Sequence, residues 1–212
     1  MKPQVDITHY DTNYNNLLRW ISYYHQIESI IELNPKNILE IGVGNKTIYN
    51  YLKQNKYNIT SCDFDKRLNP DIVGDIRKLP IKNKQYDLVC AFEVLEHIPF
   101  TDFEIAIREL NRISKKYIII SIPHFSINIE WVIKIPFLYR LFKKFYFGFR
   151  ISIPYPIKHN FDGEHYWELG KKGYSVKKIK NVLQKHFKIL KDYRNPLNSY
   201  HHIFVLEKTY NK

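Results

Sequence analysis

Four carboxylates, Glu40, Asp63, Asp75 and Glu93, stand within or just past four short apolar runs, and Gly42 and Gly44 follow the first run. Glycines in such a turn let the backbone pass close to a ligand. A carboxylate about 20 residues beyond a glycine turn commonly accepts hydrogen bonds from ribose hydroxyls, and Asp63 lies 19 residues after Gly44. This chemistry suits a ligand that carries a nucleoside. A dinucleotide site asks for a third glycine, so that a helix N-terminus can meet the pyrophosphate. Here Asn45, Lys46, Thr47 and Ile48 follow instead. Three histidines, His97, His124 and His165, are the candidate acid–base groups, having pKa values near neutrality. The histidines and the two cysteines show no ligand spacing, so no metal is expected.

The elements around these residues follow from the apolar pattern. Strands are expected at 37–41, 57–62, 71–73, 86–91 and 116–122, and helices at 45–55 and around 102–113. Near-continuous apolar strands that alternate with helices imply a parallel sheet covered on both faces. Ligands bind such a sheet beyond the carboxyl ends of its strands, where the turns after four strands deliver the residues named above. A further helix is expected over 13–32, with Leu17, Trp20, Ile21, Tyr24, Ile27, Ile30 and Ile31 on one buried face, ended by Asn34-Pro35.

Residues 38–47, ILEIGVGNKT, resemble the first motif of class I S-adenosylmethionine-dependent methyltransferases, and SCDFD resembles the second. The stretch GDIRKLPIKNKQYDLVCAFEVLEHIP resembles the family's Asp before "LP", its fourth strand and its "LEH" segment. ELNRISKKYIIISIP resembles the helix and fifth strand that follow, HYWELGKKGYS the segment before the last helix, and residues 187–207 the last two strands. The likeness is to the small-molecule kind grouped with ubiquinone/menaquinone-biosynthesis methyltransferases. Lys46 departs from it, standing where many relatives have glycine or a small residue.

The resemblance implies an α/β fold, a Rossmann-like three-layer sandwich with a seven-stranded, mostly parallel sheet and an antiparallel last strand. It implies an enzyme with S-adenosyl-L-methionine as cofactor. Glu40 would accept from the methionine ammonium, or alternatively hold amides of the glycine loop, and Gly42 and Gly44 would pass close to the methionine. Asp63 would bind the ribose hydroxyls and Phe64 would lie against adenine. Asp75 would accept from the adenine amino group, with the Ile76 amide beside it. Glu93 would begin the segment beside the transferable methyl. His97 reads as a histidine that fixes the loop after the fourth strand, or as a catalytic group. His124, after the fifth strand, reads as a general base or a plain strand-end residue, and His165 is a third candidate. Tyr10, Asp11 and Tyr14 would either close over the cofactor or pack in the core.

Charge is unevenly placed. Residues 1–130 hold 16 Lys/Arg and 16 Asp/Glu, whereas 131–212 hold 17 and 5, which accounts for the whole net charge of +12. An anionic partner near the C-terminal part is expected. Length and composition suit one domain over 1–212, with a basic, aromatic insertion or lid at 125–162. Within it Trp131, Ile135, Leu138, Leu141, Phe142, Phe145 and Phe149 alternate with Lys134, Arg140, Lys143, Lys144 and Arg150, and Pro136 and Pro154 rule out one long helix. This pattern suits a lid over an amphipathic acceptor, small or lipid-linked, a dimer contact, or a peripheral contact with an anionic membrane through 131–150. Buried-looking thiols, no apolar leader and no spanning stretch suit a cytoplasmic protein. The alternative is an RNA methyltransferase, but the N/D-P-P-Y/F motif and a Pro-Cys nucleophile are missing.

Overall fold

Alternation within the strands divides the core. In the computed structural model, which describes residues 3–10, 13–135, 137, 140, 146–195 and 197–209, Leu39 and Ile41, Val89 and Ala91, and Ile118, Ile120 and Ile122 enter one apolar cluster. Their neighbours Ile38, Leu88, Cys90 and Ile119 enter the other. Successive side chains of a strand point to opposite faces, so the sheet is buried on both.

The strands are β1 (Ile38–Ile41), β2 (Ile59–Asp63), β3 (Ile72–Val73), β4 (Tyr86–Phe92), β5 (Ser114–Pro123), β8 (Phe187–Asn195) and β9 (Asn198–Lys208), with β6 (Ile127–Ile133) and β7 (Phe147–Ile153) outside this sheet. Their order is β3-β2-β1-β4-β5-β9-β8. The first five run parallel. β9 is antiparallel to both β5 and β8. Helices α1 (Leu17–Glu32) and α2 (Thr47–Gln54) cover one face through Tyr23, Ile30, Ile48 and Leu52. Helices α3 (Phe103–Ile113) and α4 (Val176–Gln184) cover the other through Ile107, Leu110, Ile179 and Leu183. This is the α/β, Rossmann-like sandwich expected, including the reversed last strand.

Helix α1 turns a different face inward from the one its apolar spacing suggests. Leu17, Trp20, Tyr24 and Ile31 are exposed, while Ser22, Gln26 and Ser29 are buried beside Tyr23 and Ile30. The polar groups find partners: Ser22 Oγ lies 2.6 Å from His201 Nδ1, Gln26 Nε2 donates to Ser121 Oγ, and Ser29 pairs with Tyr193. Hydrogen bonding removes most of the cost of burying such groups.

The insertion holds an antiparallel ribbon, β6 (Ile127–Ile133) with β7 (Phe147–Ile153), forming its own two-stranded sheet. Pro136, Leu138, Leu141, Phe142, Lys143, Lys144 and Phe145 lie outside the described residues, as does Asp11.

Candidate active site

The turn after β1 reverses at Gly42, with φ +80°, where a Cβ would come within 2.2 Å of Val94 Cγ2. Only glycine fits there. Gly44 also has positive φ. The third left-handed position of the loop falls on Lys46, φ 61°, which heads α2 without a side-chain cap. The chain keeps the loop geometry and accepts the strain of a side chain there. Asn45 stands in for the cap, its Oδ1 accepting from the Thr47 amide and hydroxyl.

Asp63, buried at the end of β2, fastens this loop to its own turn. Its Oδ2 accepts from the Val43 amide at 3.0 Å and its Oδ1 from the Asp65 amide at 2.9 Å. Loop anchoring was the alternative role for Glu40, yet Asp63 performs it. Glu40 is buried with Oε2 unpartnered. Burial, with the Asp63 charge adding to it, pushes its carboxyl up to about 8.

Glu40, Gly42, Gly44, Asp63, Phe64, Ile76 and Glu93 all line one cavity at the carboxyl ends of the strands. Tyr10, Tyr14, Arg19 and Tyr23 from the N-terminal part line it too, as do His97, Glu164, His165, Tyr200 and His201. Tyr10 and Tyr14 meet edge to face, and the Arg19 guanidinium lies over the Tyr14 ring.

Two expected residues are elsewhere. The Asp75 carboxylate is turned onto Arg77, accepting from its amide, Nε and Nη2, and Arg77 reaches on to Asp102. This bidentate pair holds Asp75 below its usual pKa, and only its neighbours Gly74 and Ile76 line the cavity. His124 stacks on His202, with Nδ1 atoms 2.9 Å apart, while His202 Nε2 meets Asp192 Oδ1. Burial, together with the charges of Arg194 and His202, pushes His124 down to about 3. It is not among the cavity's lining residues, and so low a pKa makes a weak base.

His97 and His165 do face the cavity, edge to face with ring centroids 5.0 Å apart. His97 Nδ1 bonds Gln4 Oε1 and the Glu164 carbonyl. Burial and the nearby His165 lower its pKa. His165 Nδ1 bonds Glu168 Oε1 at 3.0 Å. Burial pulls His165 down, but the Glu168 bond and charge outweigh it, for a net rise.

Arg19 and His201 have no counterpart in the motif reading. His201 Nε2 lies 3.2 Å from Glu93 Oε2, and its Nδ1 meets Ser22. Glu93 itself takes φ 54°, a strained value for a side chain with a Cβ and one that recurs at functional sites. His201 sits near the start of β9, opposite Pro123. Because β9 is reversed, its first residues, not its last, meet the ligand edge.

Residues 39–120 match the family model described as a methyltransferase domain. The match covers 82 of the 212 residues. The chain's fold is that of S-adenosylmethionine-dependent methyltransferases. The magnesium protoporphyrin IX methyltransferase of Synechocystis PCC 6803, solved with S-adenosylhomocysteine, is similar at 14% identity over 99% of this chain and 90% of that one, TM-score 0.62. The N-methyltransferase NodS of Bradyrhizobium japonicum WM9, also with S-adenosylhomocysteine, is 11% identical over 92% and 89%, TM-score 0.59. The PH0226 protein of Pyrococcus horikoshii OT3 is 14% identical over 95% and 96%, TM-score 0.60. At these identities the likeness is one of fold. No curated protein sequence matches. Within the matched stretch fall Glu40, Gly42, Gly44, Asp63, Phe64, Ile76, Glu93 and His97, whereas His165, Tyr200 and His201 come from beyond it.

Proposed function

We propose that the protein transfers a methyl group from S-adenosylmethionine to a small, oxygen-rich anionic acceptor, and that the cavity holds both molecules. The observation that carries this is that Glu40, Asp63, Phe64 and Ile76 share one cavity with a guanidinium, that of Arg19, which can meet an anion. Glu40 and Asp63 make the glycine-loop side acidic, while Arg19 lies among the other lining residues with His97, His165, Glu93 and Glu164. Asp63 spends one lone pair on each backbone amide and keeps the others for ribose hydroxyls. The free Glu40 oxygen suits the methionine ammonium, a cation that would draw its raised pKa back down. Phe64 offers a ring face to adenine and the Ile76 amide a donor to it. Glu93, held by His201, lies beside the methyl and its acceptor. The sulfonium already activates the methyl carbon, so the chain's task is to align the acceptor in line with the C–S bond and to keep water out.

A peripheral attachment to anionic membrane, and with it a lipid-linked acceptor, is favoured by the β6–β7 ribbon. Its cross-strand pairs Ile127–Ile153, Ile129–Ile151 and Trp131–Phe149 lie on one face. These six side chains are each 46–58% exposed. The other face carries Asn128 and Arg150, which bond Ser199 and the Arg194 carbonyl of the main body. The connecting residues 134–146 include four Lys/Arg and no acid. An apolar face beside cations suits a lipid interface. A bare basic groove, the sign of RNA, fits this ribbon less well. No helix among the described residues is long and apolar enough to cross a membrane. A cytoplasmic protein that touches the membrane surface accords with this.

The test is conversion of S-adenosylmethionine to S-adenosylhomocysteine in the presence of an organic-acid fraction, an anionic lipid extract or bulk RNA. Turnover with either of the first two supports the reading, and turnover with RNA alone sinks it.

A further inference from the structure

Behind the His97–His165 wall lies Glu96. It is wholly buried, and neither carboxylate oxygen has a hydrogen-bond partner. Buried polar atoms are almost always satisfied, and an unpartnered carboxylate is among the costliest exceptions. Its neighbour Glu93 adds a third buried oxygen without a partner.

The two imidazoles are prepared in a matching way. The Glu164 carbonyl can only accept, so His97 Nδ1 carries the proton and Nε2 keeps its lone pair. Glu168 accepts likewise from His165 Nδ1, with Tyr200 and Lys171 holding the carboxylate in place. Imidazoles whose far nitrogen is fixed by a carbonyl or carboxylate are the usual arrangement behind a metal ion. One ligand atom each from Glu96, His97 and His165 lies within 4.8 Å of the others. Ligands at about 2.0–2.2 Å from an ion stand about 3–4 Å apart, so small side-chain rotations close the set.

We propose that Glu96, His97 and His165 bind one divalent cation in the cavity wall. Two nitrogens and a carboxylate suit Zn²⁺, Mn²⁺, Fe²⁺ or Co²⁺ better than Ca²⁺ or Mg²⁺. The histidine spacing in the sequence hides the site, because His165 lies 68 residues beyond His97. A neighbouring set, Asp162, His165 and Glu168, is the weaker choice. Asp162 Oδ1 already accepts from the Glu164 and His165 amides, and Glu168 is held by His165, Tyr200 and Lys171. Three protein ligands leave positions open, and His97, His165 and Glu93 face the cavity. The open positions would receive an anionic oxygen of the acceptor and orient it. That role rests on the methyl-transfer reading, whereas the site itself does not.

The test uses the whole chain stripped with chelator, titrated with Mn²⁺ alone and followed by electron paramagnetic resonance, and with Co²⁺ alone followed by visible absorption. The expected result is one ion per chain. Affinity should fall about tenfold or more in Glu96→Gln and His165→Gln, with Asp162→Asn unaffected. Cooperative thermal unfolding, measured in parallel, should persist in both ligand variants and report that they are folded, and S-adenosylmethionine binding is measured on the unaltered chain. No binding of either ion by the unaltered chain, or equal binding by folded ligand variants, overturns the site. Metal binding without S-adenosylmethionine binding would instead contradict the methyl-transfer reading and leave the site standing.

Discussion

Replacing Gly42 with alanine tests how the glycine loop is held. The new Cβ meets two separate penalties. The residue has φ +80°, and holding an L-residue in the left-handed region costs about 1–2 kcal/mol. The Cβ would also lie 2.2 Å from Val94 Cγ2, an overlap that forces a shift costing about 1–3 kcal/mol. Together these give a loss of about 2–5 kcal/mol, or roughly 4–20 °C in Tm for a chain of this size. Urea unfolding of Gly42→Ala, Val94→Ala and the double variant separates the two. In the double variant the overlap vanishes and only the backbone strain remains, so the pair should couple by about 1–3 kcal/mol. A Gly42→Ala loss that is unchanged in the Val94→Ala background would refute the reasoning, because Val94 would then not be what excludes a side chain.

Lys46→Gly should stabilise the chain by about 1 kcal/mol, because Lys46 already takes a left-handed conformation that glycine adopts without strain; urea midpoints check this. Glu40, its carboxyl raised to about 8, favours the folded state most when protonated, so its contribution is full below about pH 4.5 and is lost as pH rises to about 8. Thermal unfolding of the ligand-free chain from pH 5 to 8.5 should therefore fall more steeply than that of Glu40→Gln. His124→Asn should leave S-adenosylmethionine affinity and turnover within about threefold, since His124 meets His202 rather than the cavity; a loss of turnover with binding intact would return it to the site. Ile129→Asn with Phe149→Ser should abolish flotation with anionic vesicles at low salt and leave the fold unchanged, because both side chains are exposed; vesicle binding that survives would show that the ribbon is not the contact.

The strand order and the glycine turn were legible because buried parallel strands are apolar throughout and their ligands gather at one edge. Three features were not. The inward face of α1 follows Ser22, Gln26 and Ser29, whose burial depends on partners in β5, β8 and β9, and apolar periodicity cannot register such pairs. Asp75 stands in its motif, but Arg77 two residues on captures it. His201 reaches the cavity from far along the chain, through strand reversal. The insertion reads in sequence as an aromatic and basic stripe. Alternation over Ile127, Ile129, Trp131 and Ile133, with Asn128, Glu130 and Val132 between, is the strand signal that the stripe conceals.

The central claim is that the cavity is built for S-adenosylmethionine and not for a dinucleotide. Isothermal titration of the full chain with S-adenosylmethionine, and separately with NAD, tests it most directly. One site per chain for S-adenosylmethionine with no heat from NAD is the result predicted, and Asp63→Ala should abolish it. Binding of NAD, or no binding of S-adenosylmethionine to the unaltered chain, would contradict it.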